Sequence, residues 1–164
     1  MTFSPELEAR FEKLLKSYPE GRNRSAVIPM LLYGQDEVGS ITPELIDEVA
    51  KRTGVRRVQV EEVVGYYSML HKKGMGKYHV QICTNISCLL NGGMELWDRA
   101  CHKTGLGNKQ PTQDGKLSLE EVECIGACSW APAIQVNYDF YHNVTGEQLD
   151  QIIDSCSQDT YKKA

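Results

Sequence analysis

The sequence lacks any apolar run of the roughly 18 residues that a membrane-spanning helix needs, so no direct membrane insertion is expected. It also lacks a basic excess. Lys and Arg total 18 against 22 Asp and Glu, a formal net charge of -4, which leaves no electrostatic footprint for nucleic acid. No G-x-G-x-x-G follows a candidate strand, so nothing marks a dinucleotide site on this chain. No C-x-x-C is present, which excludes a thioredoxin-type dithiol. Internal repeats and low-complexity segments are absent too. The amino end, MTFSPELEARFEKLL, carries Glu6, Glu8 and Glu12, a composition unlike a secretory signal or an organellar transit peptide. The expected compartment is therefore the reducing cytoplasm, where six cysteines suit metal ligation with spare thiols better than three disulfides.

What the chain does have is two cysteine pairs in short loops, Cys83/Cys88 in CTNISC and Cys124/Cys128 in ECIGAC. Four thiolates from a C-x4-C and a C-x3-C match the ligand count of a [2Fe-2S] cluster or of a four-sulfur zinc site. Zinc pairs most often use C-x2-C, so the longer intervals favour iron and sulfide. Zinc, or four unrelated buried cysteines, stay open at this point. Small and polar residues in the first loop (Thr84, Asn85, Ser87), and Gly126 with Ala127 in the second, leave room for backbone amides to approach sulfur. The two turns are expected at opposite ends of a small sheet, converging on one centre.

The first half reads as helices. Ser4 and Pro5 open one with Leu7, Phe11, Leu14 and Leu15 on a single face. A second covers Ala26 to Tyr33 and either starts close to Pro29 or kinks there, with Gly34 to Ser40 expected as loop. Thr42-Pro43 opens a third, closed by Gly54, and a fourth lies within Val55 to Leu70, broken or ended near Gly65. This bundle shows little evident core of its own, so a neighbour is expected to cover much of its apolar face. HKKGMGK reads as a linker.

Beyond it the pattern turns extended. Strands are expected at Lys77 to Ile82, in LSLEEVECI, in AIQVN and in DFYHN, the last two joined by a tight turn at Asn137 to Asp139. Helices are expected from Gly92 to Thr104 and after Thr145, with GLGNKQPTQDGK as loop. The fold class is α+β: a helical bundle, then a mixed four-stranded sheet with helices. Cys101 and Cys156 read as small apolar fillers and Trp97 as packing, while Trp130 either packs or shields the centre. None of His71, His79, His102 and His142 lies in a cysteine loop, which argues against two nitrogen ligands. Whether Pro132 is cis stays open.

CTNISCLLNGG, DGKLSLEEVECIGACSWAP, YDFYHNVT and a closing LDQII resemble the E subunit of bacterial respiratory complex I, the NADH:quinone oxidoreductase. GSITPELIDEVAKRTGV and VVGYYSML resemble its helical part, so the likeness covers nearly the whole chain. It departs at VVGYYSML, where that family more often has an alanine-threonine-phenylalanine run before the tyrosine. The resemblance implies a helical domain at 1–74 and a thioredoxin-like [2Fe-2S] ferredoxin domain at 75–164. It places the ligands at Cys83, Cys88, Cys124 and Cys128, and matches a family glycine with Gly126 and a family proline with Pro132. It further implies an electron-transfer subunit of an oxidoreductase, without a complete active site of its own. Its one [2Fe-2S] cluster would sit close to the FMN of the flavin-bearing F subunit, with FMN and NADH on that partner and the rest of the peripheral arm beyond. The whole would lie peripherally on the cytoplasmic side of the inner membrane. Two other readings remain: the equivalent diaphorase subunit of a soluble NAD-linked hydrogenase or formate dehydrogenase, and a zinc-stabilised interaction module.

Overall fold

Side-chain caps start three of the longer helices. Ser4 accepts from the Leu7 N–H at the head of α1 (Pro5–Lys16), and Thr42 accepts from Leu45 at the head of α3 (Pro43–Thr53). Thr145 does the same for Gln148 in α7 (Gly146–Ser157), and Gln148 reaches back to the Thr145 N–H, so two otherwise orphaned donors are satisfied reciprocally. The computed structural model describes residues 2–162. Within them the chain divides into two compact units that meet in sequence between Gly74 and Met75. No helix among the described residues is long and apolar enough to cross a membrane.

The first unit holds α1, α2 (Val27–Val38), α3 and α4 (Arg57–Tyr66). A 3-10 turn over Asn23–Ala26 leads into α2, which starts two residues before Pro29, where a missing N–H costs nothing. Contrary to the expected loop from Gly34, α2 runs on to Val38. The reason is packing. A Cβ on Gly34 would stand 2.5 Å from Leu45 Cδ1, so the bare backbone lets α3 approach α2 closely. The turn comes instead at Gly39, whose φ of 86° ends the helix in the left-handed region. The expectation of a coreless bundle is also corrected, because Phe11, Met30, Leu31, Leu45, Val49 and Val60 are fully buried together. They come from all four helices, and only the three-dimensional arrangement shows that their stripes meet. Arg52 ties α3 to α1 through paired bonds to Glu8 of 2.6 and 2.8 Å.

In the second unit, β1 (Tyr78–Cys83) lies at the centre of a sheet ordered β2-β3-β1-β4-β5. It is parallel to β3 (Leu117–Val122) and antiparallel to β4 (Ile134–Val136), which pairs antiparallel with β5 (Asp139–Tyr141). A two-residue turn at Asn137-Tyr138 joins β4 to β5, with Asn137 at φ 52°. The sheet has five strands rather than four. The extra one, β2 (Gln110–Pro111), is an edge pair too short to show alternation and carries a proline, which an edge tolerates. Helix α6 (Gly93–Thr104) makes the crossover between the parallel strands, and with α7 it packs on the sheet. Val80, Ile82, Leu117, Leu119, Leu96, Ala100, Leu149 and Ile153 share that core.

Strand alternation puts His79, Gln81, Ser118 and Glu120 on the opposite face, and that face is not solvated. Glu120 is only 2% exposed, and its carboxylate receives Lys109 at 3.0 Å, His79 Nε2 at 2.8 Å and Gln81 at 2.9 Å. The groups form a continuous chain: Gly76 N–H donates to Ser118 Oγ, which lies 2.8 Å from His79 Nδ1, while His79 Nε2 lies 2.8 Å from Glu120. Burial would raise the Glu120 carboxyl, but the bonds from His79, Gln81 and Lys109 outweigh it and hold the group down at about 2.

Candidate metal centre

Because β1 and β3 are parallel and end in register, Cys83 opposite Val122, both cysteine loops leave the same end of the sheet. They do not sit at opposite ends, as expected from the sequence. Convergence therefore needs no long excursion: Cys83 closes β1, and Cys124 follows β3 by two residues. The ends are stitched together by Thr84 N–H on Val122 O at 3.3 Å and by Thr84 Oγ1–H on Glu121 at 2.9 Å. A third segment, just before β4, closes the site, where Ala133 O accepts from Cys83 N–H at 3.2 Å.

The first loop is partly helical, which sequence reading missed, since α5 (Ile86–Leu90) is one turn long and too short for periodicity. It carries Cys88 inward, so that Cys83 and Cys88, both 3% exposed, pack with Ala127 and Ala133, and with Val122, Ile125 and Ala131 around them. Cys128 starts a 3-10 turn that follows Gly126, whose φ of 82° lets the second loop reverse. Burial pushes the Cys88 thiol up. Its neighbours Cys83 and Cys128 push the same way, while the Ala133 backbone N–H opposes them. Three of the expected ligands, Cys83, Cys88 and Cys128, thus sense one another. Cys124 is exposed on the same loop as Cys128, its sulfur accepting the Gly126 N–H at 3.3 Å.

All six cysteines are free thiols. Cys156 is buried in α7 as expected of a filler, whereas Cys101 on α6 is half-buried. Trp130 is 55% exposed, its ring 5.3 Å from that of His142, so it packs at the surface and not in the core. The peptide before Pro132 is cis. The residues fit a centre of iron and sulfide. Four thiols lie in two loops at one sheet end, the small residues Ala127 and Ala133 pack with them, and the Gly126 N–H donates to the Cys124 sulfur. Ionising several crowded, buried thiols is unfavourable without a cation, and a bound metal reverses that by stabilising the thiolates.

Residues 11–157 match the model of the thioredoxin-like [2Fe-2S] ferredoxin family. The chain is 38% identical over 149 residues to the E subunit of NADH-quinone oxidoreductase from Rickettsia felis, covering 90% of this chain and 89% of that one. It is 38% identical over 154 residues to NADH-quinone oxidoreductase subunit 2 of Thermus thermophilus, covering 93% and 85%. Its fold resembles part of a chain of an NAD+-reducing [NiFe]-hydrogenase, with a TM-score of 0.70 at 14% identity, over 81% of this chain and 22% of that one. The α+β expectation stands with these likenesses. By the extent of the family match and of the relatives' identity, the chain belongs to the thioredoxin-like [2Fe-2S] ferredoxin family, among the E subunits of NADH-quinone oxidoreductase.

Proposed function

We propose that Cys83, Cys88, Cys124 and Cys128 hold one [2Fe-2S] cluster, and that the chain relays single electrons beside the flavin-bearing F subunit of an NADH-quinone oxidoreductase. The observation that carries this is the delivery of four free thiols by two parallel strands to one end of a sheet. When bound, the cluster supplies a one-electron acceptor, held by two thiolates on each iron. The chain's own residues do the rest. Cys83 and Cys88, enclosed by Ala127 and Ala133, present the dry side of the site, and Cys124 and Cys128 present the open side. The Gly126 amide donates to the Cys124 sulfur and the Ala133 N–H favours the Cys88 thiolate, which offsets part of the negative charge that four thiolates concentrate there.

The reading assigns the redox role to a domain at 75–164, following a helical domain at 1–74, and puts the whole on the cytoplasmic side of the membrane as a peripheral part of the complex. Apolar side chains are exposed on the short helix α5, among them Leu90 at 80%, and Trp130 is exposed just beyond Cys128. A partner surface there would approach the open side of the centre. Leu90→Glu is expected to weaken co-purification with the F subunit while leaving the chain's visible spectrum intact; undiminished association would remove α5 from that interface. The ligand set is tested by Cys124→Ser and its three counterparts, each expected to abolish or distort the visible spectrum. An unchanged spectrum in any one of them removes that cysteine.

A further inference from the structure

The NGG run that closes the first cysteine loop ends in a glycine whose surroundings leave no room for a side chain. Gly93 is buried at the first turn of α6. A Cβ there would stand 2.7 Å from Cys83 O, 2.8 Å from Cys88 O and 2.9 Å from the Cys88 carbonyl carbon, all below the 3.0 Å that real Cβ atoms respect. These three atoms belong to the backbones of the two buried cysteines, so no flexible side-chain end can swing aside. We propose that Gly93 is a positioning residue for the centre: its bare Cα is the surface against which the peptides of Cys83 and Cys88 are set, and it thereby fixes the relation of their two sulfurs. The proposal rests on the assignment of Cys83 and Cys88 as ligands.

What would give way follows from how each neighbour is held. Cys83 is locked into the sheet by its N–H on Ala133 O and by its place opposite Val122. Helix α6 is anchored by Leu96 and Ala100, both buried in the core of the sheet. Helix α5 is a single turn with Ile86, Leu89 and Leu90 exposed and Cys88 its one buried residue, so it is anchored less firmly than the sheet or α6. An added methyl therefore displaces Cys88 relative to Cys83 and leaves the sheet in place. Gly92 provides the contrast. Its φ of 91° strains any side chain, yet a Cβ there meets only Glu95 Oε2 at 3.7 Å. A methyl on Gly92 destabilises the junction without touching either cysteine.

The test compares Gly93→Ala with Gly92→Ala in the full chain. Gly93→Ala is expected to remain folded by circular dichroism. Its reduced EPR signal should shift in g values, and a chelator should remove its cluster roughly tenfold faster than from wild type, within the range seen when supporting residues of metal sites are altered. Gly92→Ala should lower the melting temperature and leave the g values and chelator rate unchanged. A second arm needs no metal. In the metal-free chain carrying Cys124→Ser and Cys128→Ser, oxidation of the Cys83/Cys88 pair by oxidised dithiothreitol should slow on adding Gly93→Ala. Wild-type g values, chelator rate and oxidation rate in Gly93→Ala overturn the proposal. So does outright unfolding, which makes the residue structural, and so does an equal spectroscopic shift in Gly92→Ala. A wild-type chain that takes up no iron defeats the ligand assignment instead, and the oxidation arm still decides Gly93.

Discussion

Replacing Glu120 by Gln keeps the shape of the side chain and removes the charge on which three donors converge. In the wild type the carboxyl is held at about 2, against an ordinary value of 4.5. That difference, at about 1.4 kcal/mol per unit, amounts to on the order of 3 kcal/mol of folding stability, and the 2% exposure of the residue leaves little for solvent to screen. Because the folded-state value is depressed, this stability is fully present above the unfolded-state value and is lost as pH falls toward about 2. Glu120→Gln should therefore be less stable than wild type by about 3 kcal/mol at pH 7, on the order of 15 °C in melting temperature for a domain of this size. The gap should close progressively below about pH 4.5. Urea unfolding of the reduced, metal-free chain measures it, so that acid loss of iron does not enter. Tryptophan fluorescence reports on the second unit alone, since both tryptophans, Trp97 and Trp130, lie there. A gap that stays constant from pH 7 to pH 2.5, or no gap at pH 7, refutes the reasoning.

Two glycines in helices should respond differently to alanine. Gly65→Ala meets nothing within 4 Å and should stabilise the chain by up to about 1 kcal/mol through helix propensity. Gly34→Ala drives a methyl into the fully buried Leu45, and an overpacking cost of about 1–3 kcal/mol should cancel or exceed the same gain. Thermal unfolding followed by circular dichroism ranks the pair, and equal stabilisation would contradict the packing account. Burial pushes the Cys156 thiol up to about 11, so in the folded chain it should stay unreactive toward a thiol reagent at pH 8 and react on unfolding. Cys101→Ser and Cys156→Ser should each retain the full iron content, and loss of iron from either would enlarge the ligand set.

Much of this molecule can be read from its letters wherever a local rule acts alone. Ser4, Thr42 and Thr145 announce helices because capping is settled within four residues. The cysteine spacing points to a candidate centre because ligand number and loop length are properties of sequence. The misses share a different cause, in that a distant residue decides them. Gly34 looks like punctuation and is a helix interior, because Leu45 fills the space its side chain would take. His79, Gln81, Ser118 and Glu120 alternate as a solvated face would, and only the pairing of β1 with β3 turns them into a buried network. The register that sets His79 beside Ser118, and Gln81 beside Glu120, is the signal that would have found it. Gly93 reads as a helix start, and its contact with both cysteine backbones depends on where α5 folds.

The central claim is that one pair of irons is shared by four named thiols. Iron and acid-labile sulfide should be assayed on the purified chain together with low-temperature EPR after dithionite reduction. The account predicts about two irons, about two sulfides and one spin-half signal per chain, lost or altered in each of Cys83→Ser, Cys88→Ser, Cys124→Ser and Cys128→Ser. A colourless protein holding a single zinc, or a signal indifferent to all four replacements, would contradict it.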